Sequence, residues 1–224
     1  MDALLSSELS ADTLAALQAH LQTQQAQKDA AVSEDFRLSQ FWYDDRTGRA
    51  LAQEAIDQSK EKRIAFVSTP AAYRDFLKIQ EESDSPIKGD NVFLFEYDRR
   101  FDEKYSGHFV FYDYNEPTNL PDKFHHFFDY VLVDPPYLNT NCMGKFAETM
   151  RWLAKDVESV PGKKAKILTP CTFITDIYAD LGFTPSGFTP TFESKLSNQF
   201  LTYTNYRSER FGESTENFGD SDEE

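Results

Sequence analysis

Asp134, Pro135, Pro136 and Tyr137 follow the apolar run Tyr130–Val133 without a break, and this is the part of the chain best suited to do chemistry. Proline fixes φ, lacks an amide proton and biases the residue before it away from helix. Asp134-Pro135-Pro136 is therefore a stiff, extended exit from a strand, whose carbonyls and carboxylate are free to point into a pocket beside the flat face of Tyr137. Such a site holds an amine by two acceptors and aims its lone pair at an electrophile. The competing reading is a rigid turn closed by a core tyrosine.

Further candidates sit at the ends of other strand-like runs. These are Ser68-Thr69 after RIAFV, Glu96-Tyr97-Asp98 after NVFLF, and Asp113-Tyr114-Asn115 after HFVFY. A carboxylate at the end of a second strand commonly accepts hydrogen bonds from ribose hydroxyls, and one at the third can face an exocyclic amine. Each of Glu96, Asp98 and Asp113 has an equally good explanation as a cap of the turn or helix that follows. Their recurrence at successive strand ends points to a nucleoside-shaped ligand.

The elements that must position these groups alternate. Strands are expected over RIAFVST, NVFLFEYD, HFVFYDYN, DYVLVD and AKILTP. Helices are expected from Pro70 through AAYRDFLKIQ, through KFAETMRWLAKD and through FITDIYADLG. The polar RRFDEKY reads as a connector, and GFTPTFE with QFLTYTNY as a closing pair of strands. Near-continuous apolar strands alternating with helices imply an α/β fold with a mostly parallel sheet covered on both faces, and ligands there lie beyond the carboxyl ends of the strands. The aromatic QFWYDD either anchors the preceding segment to the core or forms a lid in which Trp42 or Tyr43 lines a channel.

The boundaries expected are an amphipathic N-terminal helix and linker over 1–33, a catalytic-size domain over 34–207, and an acidic, disordered tail over 208–224. The formal charge is −15, and the seven acidic residues between Glu209 and Glu224 supply less than half of the excess. Such a surface repels duplex nucleic acid at long range and attracts a basic protein, and the longest basic runs, KEKR and GKKAK, are short. No run approaches the length of a membrane helix, and the N-terminus lacks the marks of a signal peptide. Cys142 and Cys171, the two cysteines, form no metal-binding spacing and fit a reducing cytosol. A cytoplasmic protein is the expectation.

The strand ending in Asp-Pro-Pro-Tyr resembles the class I, seven-stranded S-adenosylmethionine-dependent methyltransferases whose fourth strand ends in Asn/Asp-Pro-Pro-Tyr/Phe. That motif is shared by amino-methylating enzymes on adenine, cytosine, glutamine and lysine. A closer resemblance covers residues 36 to about 207. LSQFWYDDRT, FEYDRRF, FVFYDYNEP, VLVDPPYLN and NQFLTYTNY are similar to the eukaryotic family first named as N6-adenine DNA methyltransferases and later assigned to lysine methylation of translation elongation factor one-alpha. Phe173 departs from the small residue expected after the Cys-Thr pair.

The resemblance implies a Rossmann-like, mostly parallel seven-stranded sheet with an antiparallel last strand. It implies S-adenosylmethionine as methyl donor and an amine held by Asp134 and the Pro135 carbonyl, with Pro136 and Tyr137 completing the site. The ribose falls to Glu96, or Asp98 in its place, and the adenine to Asp113 and Tyr114. The family lacks the glycine-rich loop usual after the first strand, as does VSTPAAY here, so Ser68, Thr69 and the amides starting the Pro70 helix take over close approach to the cofactor. The substrate implied is a lysine on elongation factor one-alpha. The alternatives are N6-adenine methylation of nucleic acid and a non-catalytic methyltransferase-like partner subunit.

Overall fold

The computed structural model describes residues 32–59, 62–155, 166–171, 181–194 and 200–212. The chain divides into two compact units, Met1–Ser33 and Glu34–Glu224, and the second carries the sheet described here. The N-terminal amphipathic helix, residues 172–180 of the helix expected through FITDIYADLG, and residues 213–224 of the acidic tail lie outside the described residues. The first residues of the expected tail, 208–212, pack on the domain instead: Phe211 is buried and stacks on Phe188 at 4.4 Å, and Arg210 pairs with Asp57 at 2.5 Å.

Three apolar runs form the centre of one sheet because each is buried on both faces, β1 (Ile64–Val67), β2 (Val92–Glu96) and β4 (Tyr130–Val133), and β5 (Lys166–Cys171) lies beside β4. β3 (Phe109–Phe111) closes one edge, and β7 (Leu201–Thr204) and β6 (Thr184–Pro185) the other. The order is β3-β2-β1-β4-β5-β7-β6. The first five strands run parallel, with Ile64 in register with both Val92 and Tyr130, and β7 runs antiparallel to β5 and β6. Strand order reverses between β1 and β4, which opens a crevice at their carboxyl ends.

Alternation along the strands divides the core between two faces. Ala65, Val67, Phe95, Val131 and Val133 pack with Cys142, Met143, Phe146 and Met150 of helix α4 (Thr140–Leu153). On the other face Phe66 meets Tyr73 and Phe76 of α2 (Pro70–Glu81) at ring-centroid distances of 5.5 and 5.4 Å. Helix α1 (Asp45–Gln58) buries Leu51, Ala52 and Ala55. Asp44 caps α1 by accepting from the Thr47 N–H at 2.8 Å, and Asn139 caps α4 by accepting from the Cys142 N–H at 2.9 Å.

Several boundaries differ from expectation for local reasons. The Asn139 cap starts α4 at Thr140, five residues ahead of Lys145, and carries it through Gly144, where a Cβ would meet nothing. RRFDEKY contains a short helix, α3 (Arg100–Lys104). The strand expected over GFTPTFE falls instead at Thr184–Pro185. Residues 187–193 are occupied with the start of α1: Thr191 donates its N–H to Thr47 Oγ1 at 2.9 Å and its hydroxyl to Asp44 Oδ2 at 2.5 Å, and its carbonyl accepts from the Asp44 N–H at 3.2 Å.

Candidate active site

The carboxyl ends of β1, β2 and β4 and the residues just after β3 surround a cavity of about 320 Å³. Ser68 leaves β1 with φ 52°, a left-handed conformation uncommon for a residue with a Cβ, while its N–H donates to the Phe95 carbonyl at 2.8 Å. That turn delivers Thr69, Pro70 and Ala71 to the cavity wall. Pro70 is the first residue of α2, Thr69 supplies no side-chain cap, and the first amide of the helix to find a backbone acceptor is that of Tyr73. The amides of Ala71 and Ala72 are therefore left by the helix for a ligand, at the end of the dipole that favours negative charge. Thr69 Oγ1 is buried there without a hydrogen-bond partner.

Glu96 closes β2 and faces the same cavity, 6% exposed. Its Oε1 accepts from the backbone N–H groups of Tyr97 and Asp98 at 2.9 and 3.1 Å. Burial pushes its carboxyl up to about 7, and the neighbouring charges of Asp98 and Asp134 push the same way. Asp98, expected as a substitute for Glu96, does not line the cavity. Its carboxylate is turned onto Arg100, with Nη2 at 2.5 Å from Oδ2, and Gln40 donates to it at 3.5 Å. A short side chain two residues past the strand end meets the start of α3 rather than the crevice.

Asp113 and Tyr114 both line the cavity beside Tyr112. Asp113 Oδ1 accepts from the backbone and side-chain N–H of Asn115, each at 2.9 Å, so this carboxylate also serves as the turn cap it resembles in sequence. Tyr114 packs edge-on against Tyr137 at 6.1 Å.

Asp134 stands where this cavity meets a second one of about 420 Å³. Pro136, Tyr137, Ser39 and Phe41 share both walls, while Pro135, Leu138, Asn139, Phe192 and Phe200 line the second alone. Among the described residues that line the second cavity there is no lysine or arginine. Burial raises the Asp134 carboxyl to about 7, and a hydrogen bond donated by the Tyr43 hydroxyl to its Oδ2 opposes that rise.

The segment before α1 forms one wall of both cavities. It is pinned by Glu34, which accepts from the Trp42 N–H and from the Ser194 hydroxyl, each at 2.7 Å. Trp42 and Tyr43 are buried anchors that line neither cavity, with Arg74 lying 4.5 Å over the Trp42 ring. The aromatic that lines the cavities is Phe41. Sequence reasoning missed Phe41, Phe192, Phe200 and the hydroxyl of Tyr43; the string of aromatics in QFWYDD was the available signal for the first and last, and none marked Phe192 or Phe200.

The sequence profile of a family described as probable N6-adenine methyltransferase matches residues 34–208. The chain belongs to this methyltransferase family. Among relatives, EEF1A lysine methyltransferase 1 of Gallus gallus is 38% identical over 90% of this chain and 94% of its own length. Protein-lysine N-methyltransferase M142.8 of Caenorhabditis elegans is 35% identical over 91% of this chain and 96% of its own length. Protein-lysine N-methyltransferase EFM5 of Saccharomyces cerevisiae is 36% identical over 77% of this chain and 72% of its own.

Proposed function

We propose that this chain is an S-adenosylmethionine-dependent protein-lysine N-methyltransferase whose acceptor is translation elongation factor one-alpha, with residues 34–207 as its catalytic domain and the cytoplasm as its place of work. The observation that carries the reading is the position of Asp134 in the shared wall of two cavities, one ringed by the strand-end carboxylates Glu96 and Asp113, the other walled by Phe41, Leu138, Phe192 and Phe200.

The first cavity suits the cofactor. Glu96 offers acceptors for ribose hydroxyls, Asp113 and Tyr114 flank the base, and Ser68, Thr69 and the open amides of α2 suit a carboxylate; the buried, unpartnered Thr69 hydroxyl supports this. When bound, the cofactor supplies a methyl group already activated on a positive sulfur, so the protein's task is positioning.

The second cavity suits the acceptor. Its apolar walls take the aliphatic stem of lysine, and Asp134 with the Pro135 carbonyl holds the amine. A lysine with a reference pKa near 10.4 costs about 4.6 kcal/mol to neutralise at pH 7. Apolar walls and the cofactor's charge lower that cost, and a carboxyl near 7 at Asp134 is matched to exchange protons with the amine at neutral pH.

The test is methyl transfer from labelled cofactor to purified elongation factor one-alpha and to duplex DNA in parallel, with Asp134→Ala as control. Label on the protein, lost in the variant, is expected. Label on DNA alone would move the acceptor to adenine and keep the site.

A further inference from the structure

We infer that Tyr43 is a positioning residue of the transfer step, holding Asp134 Oδ2 through its hydroxyl so that Oδ1 and the Pro135 carbonyl are left to the acceptor amine. The inference rests on the methyltransferase reading above.

Tyr43 is fully buried and 91 positions away from Asp134 in the chain, yet its hydroxyl reaches that carboxylate. Its ring cannot drift. The backbone at Tyr43 bridges antiparallel to Phe192, flanked by the Glu193 N–H on the Trp42 carbonyl at 2.9 Å and the Asp44 N–H on the Thr191 carbonyl at 3.2 Å. Its ring packs against Phe192 at 5.0 Å, and Phe192 lines the acceptor cavity. One residue thus couples the wall that receives the acceptor to the carboxylate that orients it.

A phenol that donates to Oδ2 also favours the ionised carboxylate. The titratable groups facing Asp134 are Tyr43 from the segment before α1, Glu96 from the end of β2, and Tyr137 from its own loop; Phe192 and Phe200 on the acceptor side carry no charge. Glu96 opposes ionisation and Tyr43 promotes it, so removing the hydroxyl must move Asp134 upward.

Tyr43→Phe keeps the buried ring and deletes the donor. If the Asp134 midpoint rises by about one unit above 7, about a tenth of the carboxyl is ionised at pH 7 and nearly all at pH 9. With half of the wild-type carboxyl ionised at pH 7, the ratio of wild-type to variant kcat on elongation factor one-alpha should then be about fivefold at pH 7 and shrink to near one at pH 9, with the acceptor KM little changed. In an Asp134→Asn background the same substitution should lose this pH dependence. A pH-independent ratio, or a change confined to KM, overturns the assignment. The carbon-13 shift of the Asp134 carboxyl, followed against pH in wild type and Tyr43→Phe, reads the coupling without any acceptor. A higher midpoint in the variant supports it, and an unchanged midpoint overturns it whether or not the chain methylates this substrate.

Discussion

Two carboxyl groups, Glu96 and Asp134, face one crevice, and each is held near pH 7 chiefly by burial. Asp134→Ala removes the side-chain acceptor proposed for the amine, and the expected result in single-turnover assays is a loss of transfer of about 100-fold or more. Cofactor affinity, measured by calorimetry, should fall far less. On the proposed assignment of Glu96 to the cofactor's ribose, the ribose hydroxyls and a positive sulfur both favour the ionised form. Cofactor binding should therefore release a proton near pH 7, and affinity should climb between about pH 5 and pH 8. Calorimetry in buffers of different ionisation enthalpy reads that proton, and Glu96→Gln should abolish it. The linkage to stability has the opposite sign. In the free protein Glu96 binds its proton more tightly folded than unfolded, so its contribution is complete below about 4.5 and is lost as pH rises through about 7. That loss is on the order of 3 kcal/mol, and urea unfolding of wild type and Glu96→Gln across this range measures it.

At the level of elements, the packing of α1 on α2 depends on a glycine. A Cβ at Gly48 would stand 1.8 Å from Asp75 Oδ2, and Asp75 is fully buried and paired to Lys78 at 2.9 Å. Gly48→Ala should improve helix propensity by about 1 kcal/mol and still destabilise the protein by about 2 kcal/mol or more, because the carboxylate has nowhere to retreat. Urea midpoints check this, and the cost should shrink in an Asp75→Ala background. The α1 cap matters beyond the helix. Asp44 holds both the Thr47 amide and the Thr191 hydroxyl, and Thr191 adjoins Phe192 in the wall of the second cavity, the one proposed for the acceptor. Asp44→Ala should cost about 1 kcal/mol of stability and raise the acceptor KM more than the cofactor KM.

For the whole molecule the formal charge of −15 governs encounter rather than fold. With a basic protein acceptor, kcat/KM should fall several-fold as salt rises from about 0.05 to about 0.5 M, while kcat at saturation stays nearly constant. An uncharged lysine-containing peptide should show little of this dependence.

What the sequence determined by itself were features encoded over a few residues. Near-continuous apolar runs in IAFV, VFLFE and YVLV named the central strands, Pro70 the start of α2, and Asp-Pro-Pro-Tyr the rigid exit at the crevice. Even there, local signals misjudged where caps compete: Asn139 lengthened α4, Asp98 answered to Arg100, and Thr191 took GFTPTFE out of the sheet. Only the tertiary structure decided that Phe41, Phe192 and Phe200 share a wall and that the Tyr43 hydroxyl meets Asp134. The reason is one of distance along the chain. Propensity, patterning and capping are settled within a turn or two, whereas contacts such as Thr47 with Thr191, 144 positions apart, exist only after the sheet has brought their elements together.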